Sequence, residues 1–386
     1  MQDDFKMLAQ TFYGLEGVLA EELKSIGARD VKELNRAVSF KGDLGFMYKA
    51  NFRLQTALNI LCPVETFTFY NEDKFYKKVN HIEWENYFGL EKTFRVQAVT
   101  NRSSLSHSHY ASLLCKDAIV DRYREKFDHQ RPNVDSKNPD VPIFLHIDGD
   151  KASLYLNSSG APLFKRGYKT ERHEAPINEV LAAGILRLAG WPKPMDFWDP
   201  MCGSATFVIE AIMMAKNMPS GVVREEYGFM HWKNYDEKLW EKIKEVSLDK
   251  IEYFHNNFYA SDLNANYVSV AKKHLKNAFL DDLVELKQAD FLQPQNVESP
   301  RFIVTNPPYD KRIQANLPEM IERIGTLLKH DYPGAEAWFI SPVGTVKKYI
   351  GLKQTKRKKL FQGKIECELT GYKMYAGSKK NNNDSE

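Results

Sequence analysis

The residues most suggestive of chemistry are Asn306, Pro307, Pro308 and Tyr309, which follow the apolar run 302–304 after one intervening residue, Thr305. A β-branched run that ends in two prolines indicates a buried strand that cannot continue, so its carboxyl end presents these groups rigidly. The Asn306 side-chain oxygen and the Pro307 carbonyl can each accept one N–H of an exocyclic amine, and Tyr309 can stack on the ring that carries it. Both acceptors favour the amine most as it gains positive charge in attacking an electrophilic methyl group. The tetrapeptide therefore predicts amine chemistry on a planar base; the alternative is a proline-rich turn after a strand.

A second candidate site is the segment from Asp199 to Thr206, which has the pattern of a strand end, a tight loop and a helix start. Such a loop lets small residues approach a ligand and aims helix N–H groups at it, so it could hold a phosphate or a nucleoside. It lacks the Lys-Ser/Thr pair of a P-loop, and its glycine spacing is not the dinucleotide fingerprint. We expect Cys202 to be a packing residue of the loop.

Two further acidic residues follow the strands predicted after this loop. Asp262 ends the run 258–262, and Asp290 follows the run 284–289. An acid at the end of the second strand of an α/β nucleoside site hydrogen-bonds the ribose hydroxyls, although Asp262 could instead cap the helix expected from Asn264. Because parallel strands end at one edge of a sheet, these acids, the loop and Asn306 are expected to meet there.

The elements that must position these residues alternate strand and helix from about residue 161, whereas the first 160 residues predict smaller α+β modules. At 386 residues the chain is long enough for two or more domains. Four scattered cysteines predict neither a metal site nor a disulfide framework. No apolar run approaches membrane-spanning length and the acidic start is unlike a signal peptide, so we expect a cytoplasmic protein without a membrane partner.

The net charge of +3 means that any affinity for nucleic acid must come from local groups of cations. One group lies on a helix predicted at about 109–127 and just after it, and another lies in the basic segment 165–172. A third is the run 353–359, which holds five cations and could be an RNA-facing loop. For this helix and for this run, an equally good interpretation is that the cations only face solvent and bind nothing.

The segments 116–121, 131–135 and 166–169 resemble the THUMP module of bacterial ribosomal-RNA methyltransferases. In that family a ferredoxin-like segment precedes THUMP, and both bind RNA rather than catalyse. The resemblance implies a ferredoxin-like segment at 1–60, THUMP at 61–160 and a Rossmann-like methyltransferase domain at 161–378. The absence of apolar residues from the end of the chain predicts a disordered tail at 379–386. If both modules bind RNA, we expect contacts from five cations of residues 116–131 and 165–172: Lys116, Arg122, Arg131, Lys165 and Arg166.

The loop 199–206 is similar to the Asp-Pro-x-Cys-Gly-Ser-Gly-Thr loop of amino-methyltransferases, which holds S-adenosylmethionine. The resemblance implies cofactor contacts from seven residues, of which the last reaches the adenine amine: Asp199, Pro200, Gly203, Ser204, Thr206, Asp262 and Asp290. Ala205 departs from the usual glycine, and we expect it to be tolerated if its φ is negative and strained if its φ is positive. Asp310 stands where the family commonly has glycine after the tetrapeptide.

Together these features predict an α/β protein: an S-adenosylmethionine-dependent methyltransferase domain preceded by a ferredoxin-like plus THUMP RNA-binding region. The chain resembles the N-terminal, guanine-N2-modifying half of the long 23S ribosomal-RNA methyltransferases, so the expected partner is 23S rRNA or a large-subunit precursor, and a second fused methyltransferase is expected to be absent. A transfer-RNA guanine-N2 methyltransferase, a DNA-adenine methyltransferase and a catalytically silent RNA-binding assembly factor remain alternatives.

Overall fold

The structure is a computed structural model that describes residues 4–169, 177–293, 301–308 and 316–375. Tyr309 and the predicted tail at 379–386 lie outside these ranges. Two compact units are present, one formed by Met1–Thr11, Leu19–Lys165 and Arg224–Asp249 and the other by Phe12–Val18, Arg166–Val223 and Lys250–Glu386. None of the helices in the described ranges is both long and apolar enough to cross a bilayer.

The elements follow in chain order. The first part of the chain contains β1 (Phe5–Gln10), α1 (Glu16–Ser25), β2 (Arg29–Leu34), β3 (Ala37–Gly42), α2 (Leu44–Arg53), β4 (Asn59–Thr68), α3 (Glu72–His81), β5 (Thr93–Asn101), α4 (Ser108–Lys126), β6 (Asn133–Val134), β7 (Val141–Asp148) and β8 (Lys151–Asn157). The second part contains α5 (Glu179–Ala189), β9 (Asp196–Asp199), α6 (Thr206–Ala215), α7 (Glu237–Leu248), β10 (Phe258–Asp262), α8 (Ala265–Asn277), β11 (Val284–Gln288), β12 (Arg301–Thr305), α9 (Leu317–Asp331), β13 (Glu336–Pro342), α10 (Thr345–Tyr349), β14 (Gln354–Gln362) and β15 (Ile365–Lys373).

The first unit is built on one eight-stranded sheet in the order β2-β3-β1-β4-β8-β7-β5-β6. β4 joins its two halves, because it pairs with β1 on one side and with β8 on the other. Helix α4 buries Ala111, Cys115, Ile119 and Tyr123 against the common core. The two N-terminal modules therefore share a continuous sheet.

Residues 224–249 belong to the first unit, although the elements on either side of them in the sequence belong to the second. The reason is aromatic packing. Trp240 of α7 contacts Tyr48 and Phe52 of α2 edge-on, at centroid distances of 6.0 and 5.5 Å. The Tyr48 hydroxyl also accepts the Asp236 N–H at 3.0 Å. The domain boundaries implied by the sequence remain predictions.

The second unit is built on a seven-stranded sheet in the order β11-β10-β9-β12-β13-β15-β14. Its first five strands are parallel, and β15 and β14 are antiparallel to their neighbours. One apolar core covers each face, and β12 at the centre is buried along its whole length. This arrangement places the carboxyl ends of the parallel strands at one edge.

The basic run 353–359 is a strand rather than the loop that the sequence suggested, because it forms most of β14. Its residues pair with β15, and two cations of β14 meet two carboxylates of β15: Arg357 contacts Glu368 at 2.6 Å and Lys359 contacts Glu366 at 2.9 Å. The strand could not be predicted from the sequence because almost every residue of the run is polar. Strand prediction depends on an alternation of apolar and polar residues, which is absent here.

Candidate active site

The strand ends bring the predicted site residues to one edge of the second unit's sheet. Ala260 pairs with Asp199, Asp262 pairs with Gln288, and Ile303 pairs with Trp198. Since these pairs are parallel, Asp199 and Asp262 end two neighbouring strands, Asp290 comes two residues after the end of β11, and Asn306 directly follows β12. The meeting of these residues at one edge of the sheet, which was expected from the sequence, is thus present in the structure.

The loop from Asp199 to Thr206 is fastened to the neighbouring strand β10. The Cys202 N–H donates to the Ser261 carbonyl at 2.9 Å, and the Gly203 N–H donates to Asp262 Oδ2 at 2.9 Å. Ser204 and Thr206 are buried with their hydroxyl oxygens 3.3 Å apart, and Pro200 is buried as well. These contacts within the protein therefore hold the backbone of the loop in place without a ligand.

Asp262 uses one oxygen for the loop and the other for the turn after its own strand. Its Oδ1 accepts the N–H of Asn264 at 2.9 Å. The N-cap of α8 is Asn264, whose side chain accepts the Asn266 N–H at 2.9 Å. Helix capping is thus performed by Asn264, and the Asp262 carboxylate keeps unused lone pairs for a ligand hydroxyl.

Ala205 lies at a left-handed backbone position with φ of 63° and ψ of 23°, so its departure from glycine does carry strain. The strain of an L-residue there costs about 1–2 kcal/mol. Glycine would instead lose about 0.4–1 kcal/mol through the entropy of the unfolded chain. It would also lose the burial of one methyl group, about 0.8 kcal/mol. These terms nearly cancel, so alanine at this position does not by itself disable the loop.

Asp199 connects the loop to the strand that carries Asn306. The Thr305 hydroxyl donates to Asp199 Oδ1 at 2.8 Å, and the Met201 N–H donates to the same oxygen at 3.3 Å. Burial raises the pKa of Asp199 to about 7, with Asp262 acting in the same direction and the two hydrogen bonds opposing it. Thr305, which the sequence showed only as the last residue of an apolar strand, is therefore a positioning contact that sequence reasoning missed.

The raised pKa of Asp199 predicts a pH-dependent stability. In the folded state the Asp199 carboxyl keeps its proton up to about pH 7, whereas its ordinary pKa is 3.8. The tighter binding of this proton adds to the free energy of unfolding, fully below about pH 4 and progressively less as the pH rises towards 7. The slope from one group is at most about 1.4 kcal/mol per pH unit. Urea unfolding of the wild type and Asp199→Asn at several pH values measures it. We expect the free-energy difference between them to shift against the wild type as pH rises; parallel curves would contradict this.

The Asn306 side-chain oxygen is buried and has no hydrogen-bond partner among the described residues. Leaving a buried acceptor unpaired costs about 1–3 kcal/mol, so such a group calls for an explanation. Pro307 is buried directly after it, and Pro308 is exposed. The oxygen sits at the sheet edge shared with Asp199 and Asp262, so it is placed to accept an N–H from a ligand bound there.

Two other residues complete the description of this edge. Asp290 is partly buried, and its Oδ1 accepts the Leu292 N–H at 2.9 Å, so it closes a turn after β11. His274 of α8 is fully buried, and its Nδ1 donates to the Ser204 carbonyl at 3.2 Å. A single histidine on an amphipathic helix gives no sequence signal for this contact with the loop.

The predicted RNA-binding cations are in different surroundings. Arg166 is 2% exposed and pairs with the fully buried Glu210 at 3.3 Å, so the prediction that it binds RNA is wrong. Arg122 donates to the buried Glu85 at 2.6 and 3.2 Å. Although burial raises the pKa of Glu85, hydrogen bonds from Arg122 and Lys126 lower it to about 2.

The remaining predicted cations stay available to a ligand to different degrees. Lys116 is partly exposed and pairs with Asp117, whereas Arg131 and Lys165 are exposed. Sequence position could not separate these cases, because a basic residue next to a glycine or on a helix looks the same whether or not a buried carboxylate faces it. RNA contact by Lys116, Arg122, Arg131 and Lys165 remains a prediction.

Comparison with known proteins supplies the family. Residues 166–371 match a family model described as an RMKL-like methyltransferase domain, residues 69–157 match the THUMP domain, and residues 6–61 match the RlmL ferredoxin-like domain. The predicted family and the predicted fold class, a Rossmann-like methyltransferase domain after a ferredoxin-like plus THUMP region, are confirmed.

Similar proteins agree with these matches. A ribosomal RNA large subunit methyltransferase K/L of Psychromonas ingrahamii is 33% identical over 94% of this chain and 49% of its own length, so this chain spans about half of that relative. A putative RNA methyltransferase of Synechocystis sp. is 30% identical over 94% of this chain and 95% of its own. The structure of SMU.472, a putative methyltransferase complexed with SAH, is 27% identical with a TM-score of 0.87 and covers 98% of this chain and 100% of its own. The chain therefore belongs to the family of RMKL-like methyltransferases, with an RlmL ferredoxin-like domain and a THUMP domain preceding the methyltransferase domain.

Proposed function

We propose that this chain transfers a methyl group from S-adenosyl-L-methionine to the exocyclic N2 amine of a guanine in 23S ribosomal RNA, in the cytoplasm. The observation that carries the proposal is the buried, unpaired oxygen of Asn306 at the edge where the loop 199–206 and Asp262 also end. An acceptor in that position suits an amine donor. The assignment to guanine and to 23S RNA rests on the family resemblance and on relatives named as ribosomal RNA large subunit methyltransferases.

The residues of the loop fit the cofactor in composition and geometry. Gly203 and Ser204 bring the backbone close to the sheet edge, Asp262 retains lone pairs for ribose hydroxyls, and Asp290 lies at the end of the adjoining strand. The positive charge of a cofactor bound near Asp199 would favour the ionised form of the Asp199 carboxyl. When bound, the cofactor supplies an electrophilic methyl group on a sulfonium.

The protein's own residues contribute positioning and electrostatics rather than acid–base chemistry. Asn306 Oδ1 and the Pro307 carbonyl would accept the two amine hydrogens and hold the nitrogen lone pair toward the methyl group. Both acceptors gain strength as the nitrogen becomes positive. The cationic product is acidic enough to give its proton to water. A guanine in folded RNA must be unpaired or flipped to enter such a site.

Mass spectrometry of nuclease digests of ribosomal and transfer RNA tests the proposal in a strain that lacks the gene. We expect N2-methylguanosine to disappear from one position of 23S RNA and to return with the wild-type gene but not with Asn306→Ala. Loss of the modification from transfer RNA instead would support the transfer-RNA alternative, and unchanged RNA in both fractions would contradict the proposal.

The strained Ala205 favours a second candidate function, that of an RNA-binding assembly factor that no longer binds the cofactor. The free-energy cost of backbone strain at Ala205 is nearly offset by the lower entropy of the unfolded chain and by the burial of the methyl group. This near cancellation argues against a loss of cofactor binding. Calorimetry with S-adenosyl-L-methionine separates the two, because only the enzyme requires binding.

A further inference from the structure

The hairpin of β14 and β15 lies in register with the site. Thr305 pairs with Phe339, so Asn306 lies level with Ile340, the next residue of β13. Ile340 pairs with Leu369 of β15, and Leu369 pairs with Lys358 of β14. Lys358 is therefore level with Asn306 and three strands away along the sheet. At the usual separation of neighbouring strands this is about 14 Å.

The hairpin is strongly basic. Residues 351–373 hold seven cations and two carboxylates, so this short segment carries a larger positive charge than the net +3 of the whole chain. Unlike the cations of α4, those of β14 lie on an exposed edge strand. Such a concentration of charge at the level of the site attracts a polyanion.

The two faces of β14 differ in their electrostatics. Arg357 and Lys359 lie on one face and are neutralised by Glu368 and Glu366. Lys356 and Lys358 lie on the opposite face, because side chains alternate along a strand. Both are exposed, and neither has a carboxylate within ion-pair distance in the described ranges. An exposed ammonium without a carboxylate partner is the group that a phosphate can use.

We propose that Lys356 and Lys358 bind the phosphate backbone of the RNA next to the target base. The inference rests on the proposed function and adds to it a contact surface on the methyltransferase domain itself. Two lysines at positions i and i+2 of a strand are about 6.6 Å apart along it, so each can meet a different phosphate of an extended single strand. Phosphate contacts of this kind set the position of the RNA and carry no sequence information.

An edge strand has another use for lysine, since charge on an unpaired edge prevents sheet-to-sheet association. That alternative makes a different prediction: removing the two charges would promote self-association and leave the affinity for RNA unchanged. The two explanations can therefore be separated by one set of variants.

The test compares the full-length double variant Lys356→Gln/Lys358→Gln with wild type. A matched control is Lys272→Gln/Lys276→Gln, which removes two exposed charges from α8, next to β10 and β11 at the other end of the same sheet. Binding of a fluorescently labelled single-stranded RNA of mixed sequence is measured over a range of salt concentrations. Calorimetry with SAH reports whether each variant keeps its cofactor site, and light scattering reports self-association.

For the hairpin variant we expect the slope of log affinity against log salt to fall by about 1.4, and the affinity at 0.1 M salt to fall on the order of tenfold. The KM for RNA in methyl transfer should rise while kcat at saturating RNA is retained. An unchanged slope, an equal loss in the control variant, or self-association with unchanged RNA affinity would each overturn the inference. Failure of the proposed function would give a different result. The wild type would then show no methyl transfer, but the loss of RNA affinity in the hairpin variant would still be measurable.

Discussion

Replacing Asn306 with alanine is expected to lower the single-turnover rate of methyl transfer by about a hundred- to a thousandfold, the typical cost of removing one preorganised electrostatic group. The affinities for cofactor and for RNA should stay near those of the wild type, because the contact strengthens only as charge develops on the amine. The measurement is single-turnover transfer of labelled methyl to target RNA, with both affinities determined separately.

The same substitution should not lower the free energy of unfolding. This expectation comes from the structure and could not be made from the sequence. The Asn306 oxygen is buried without a partner among the described residues, so its removal relieves an unpaired acceptor, and the free energy of unfolding should stay the same or rise. A buried polar group that lowers stability calls for an explanation, and a contact with the substrate amine provides one.

Asn264→Ala is the matched control for this experiment. Asn264 also follows a strand at the same sheet edge, but its side chain already accepts the Asn266 N–H at 2.9 Å. Its loss should cost about 0.5–2 kcal/mol of stability, as for other helix caps, and leave the rate of transfer unchanged. Full transfer activity in Asn306→Ala, or equal behaviour of the two variants, would reduce the tetrapeptide to a turn after a strand.

The sequence allowed the sheet edge to be predicted because the relevant signals are local. A buried run ended by two prolines, a small-residue loop and acids after apolar strands each depend on a few neighbouring residues, and parallel strands bring their ends together. The residue types at Asp199, Asp262, Asp290 and Asn306 were therefore enough to place them on one edge.

The features that could not be predicted depend on contacts between distant segments. The burial of Arg166 requires Glu210, which is 44 residues away, and the attachment of α7 to the first unit requires the ring of Trp240 to meet α2. The strand β14 was not predicted because its polar residues show no alternation with apolar ones, and only its pairing with β15 identifies it as a strand. Likewise, the sign of φ at Ala205 follows from how the loop is tied to β10, which no local pattern states.

The largest expected effect on cofactor binding is that of Asp262→Ala. Each hydrogen bond between a carboxylate and a ribose hydroxyl contributes about 1.5–3 kcal/mol, and each 1.4 kcal/mol corresponds to a factor of ten. The dissociation constant for SAH should therefore rise at least tenfold. Some stability should be lost too, since the Gly203 N–H, which now donates to Asp262 Oδ2 at 2.9 Å, would lose its partner.

Two variants separate ribose binding from this loop contact, with calorimetry for SAH affinity and urea unfolding for stability. Asp262→Asn keeps one side-chain oxygen to accept the Gly203 N–H, but its NH2 group faces the Asn264 N–H and the negative charge is lost. It should therefore regain only part of the stability, while its SAH affinity stays well below that of the wild type. Asn264→Ala removes the true cap of α8 and should lose stability with near-normal affinity, because its backbone N–H can still donate to Asp262 Oδ1. If Asp262→Asn instead recovered affinity and stability together, Asp262 would act only by holding the loop, and the ribose would have to be bound by other residues of this edge.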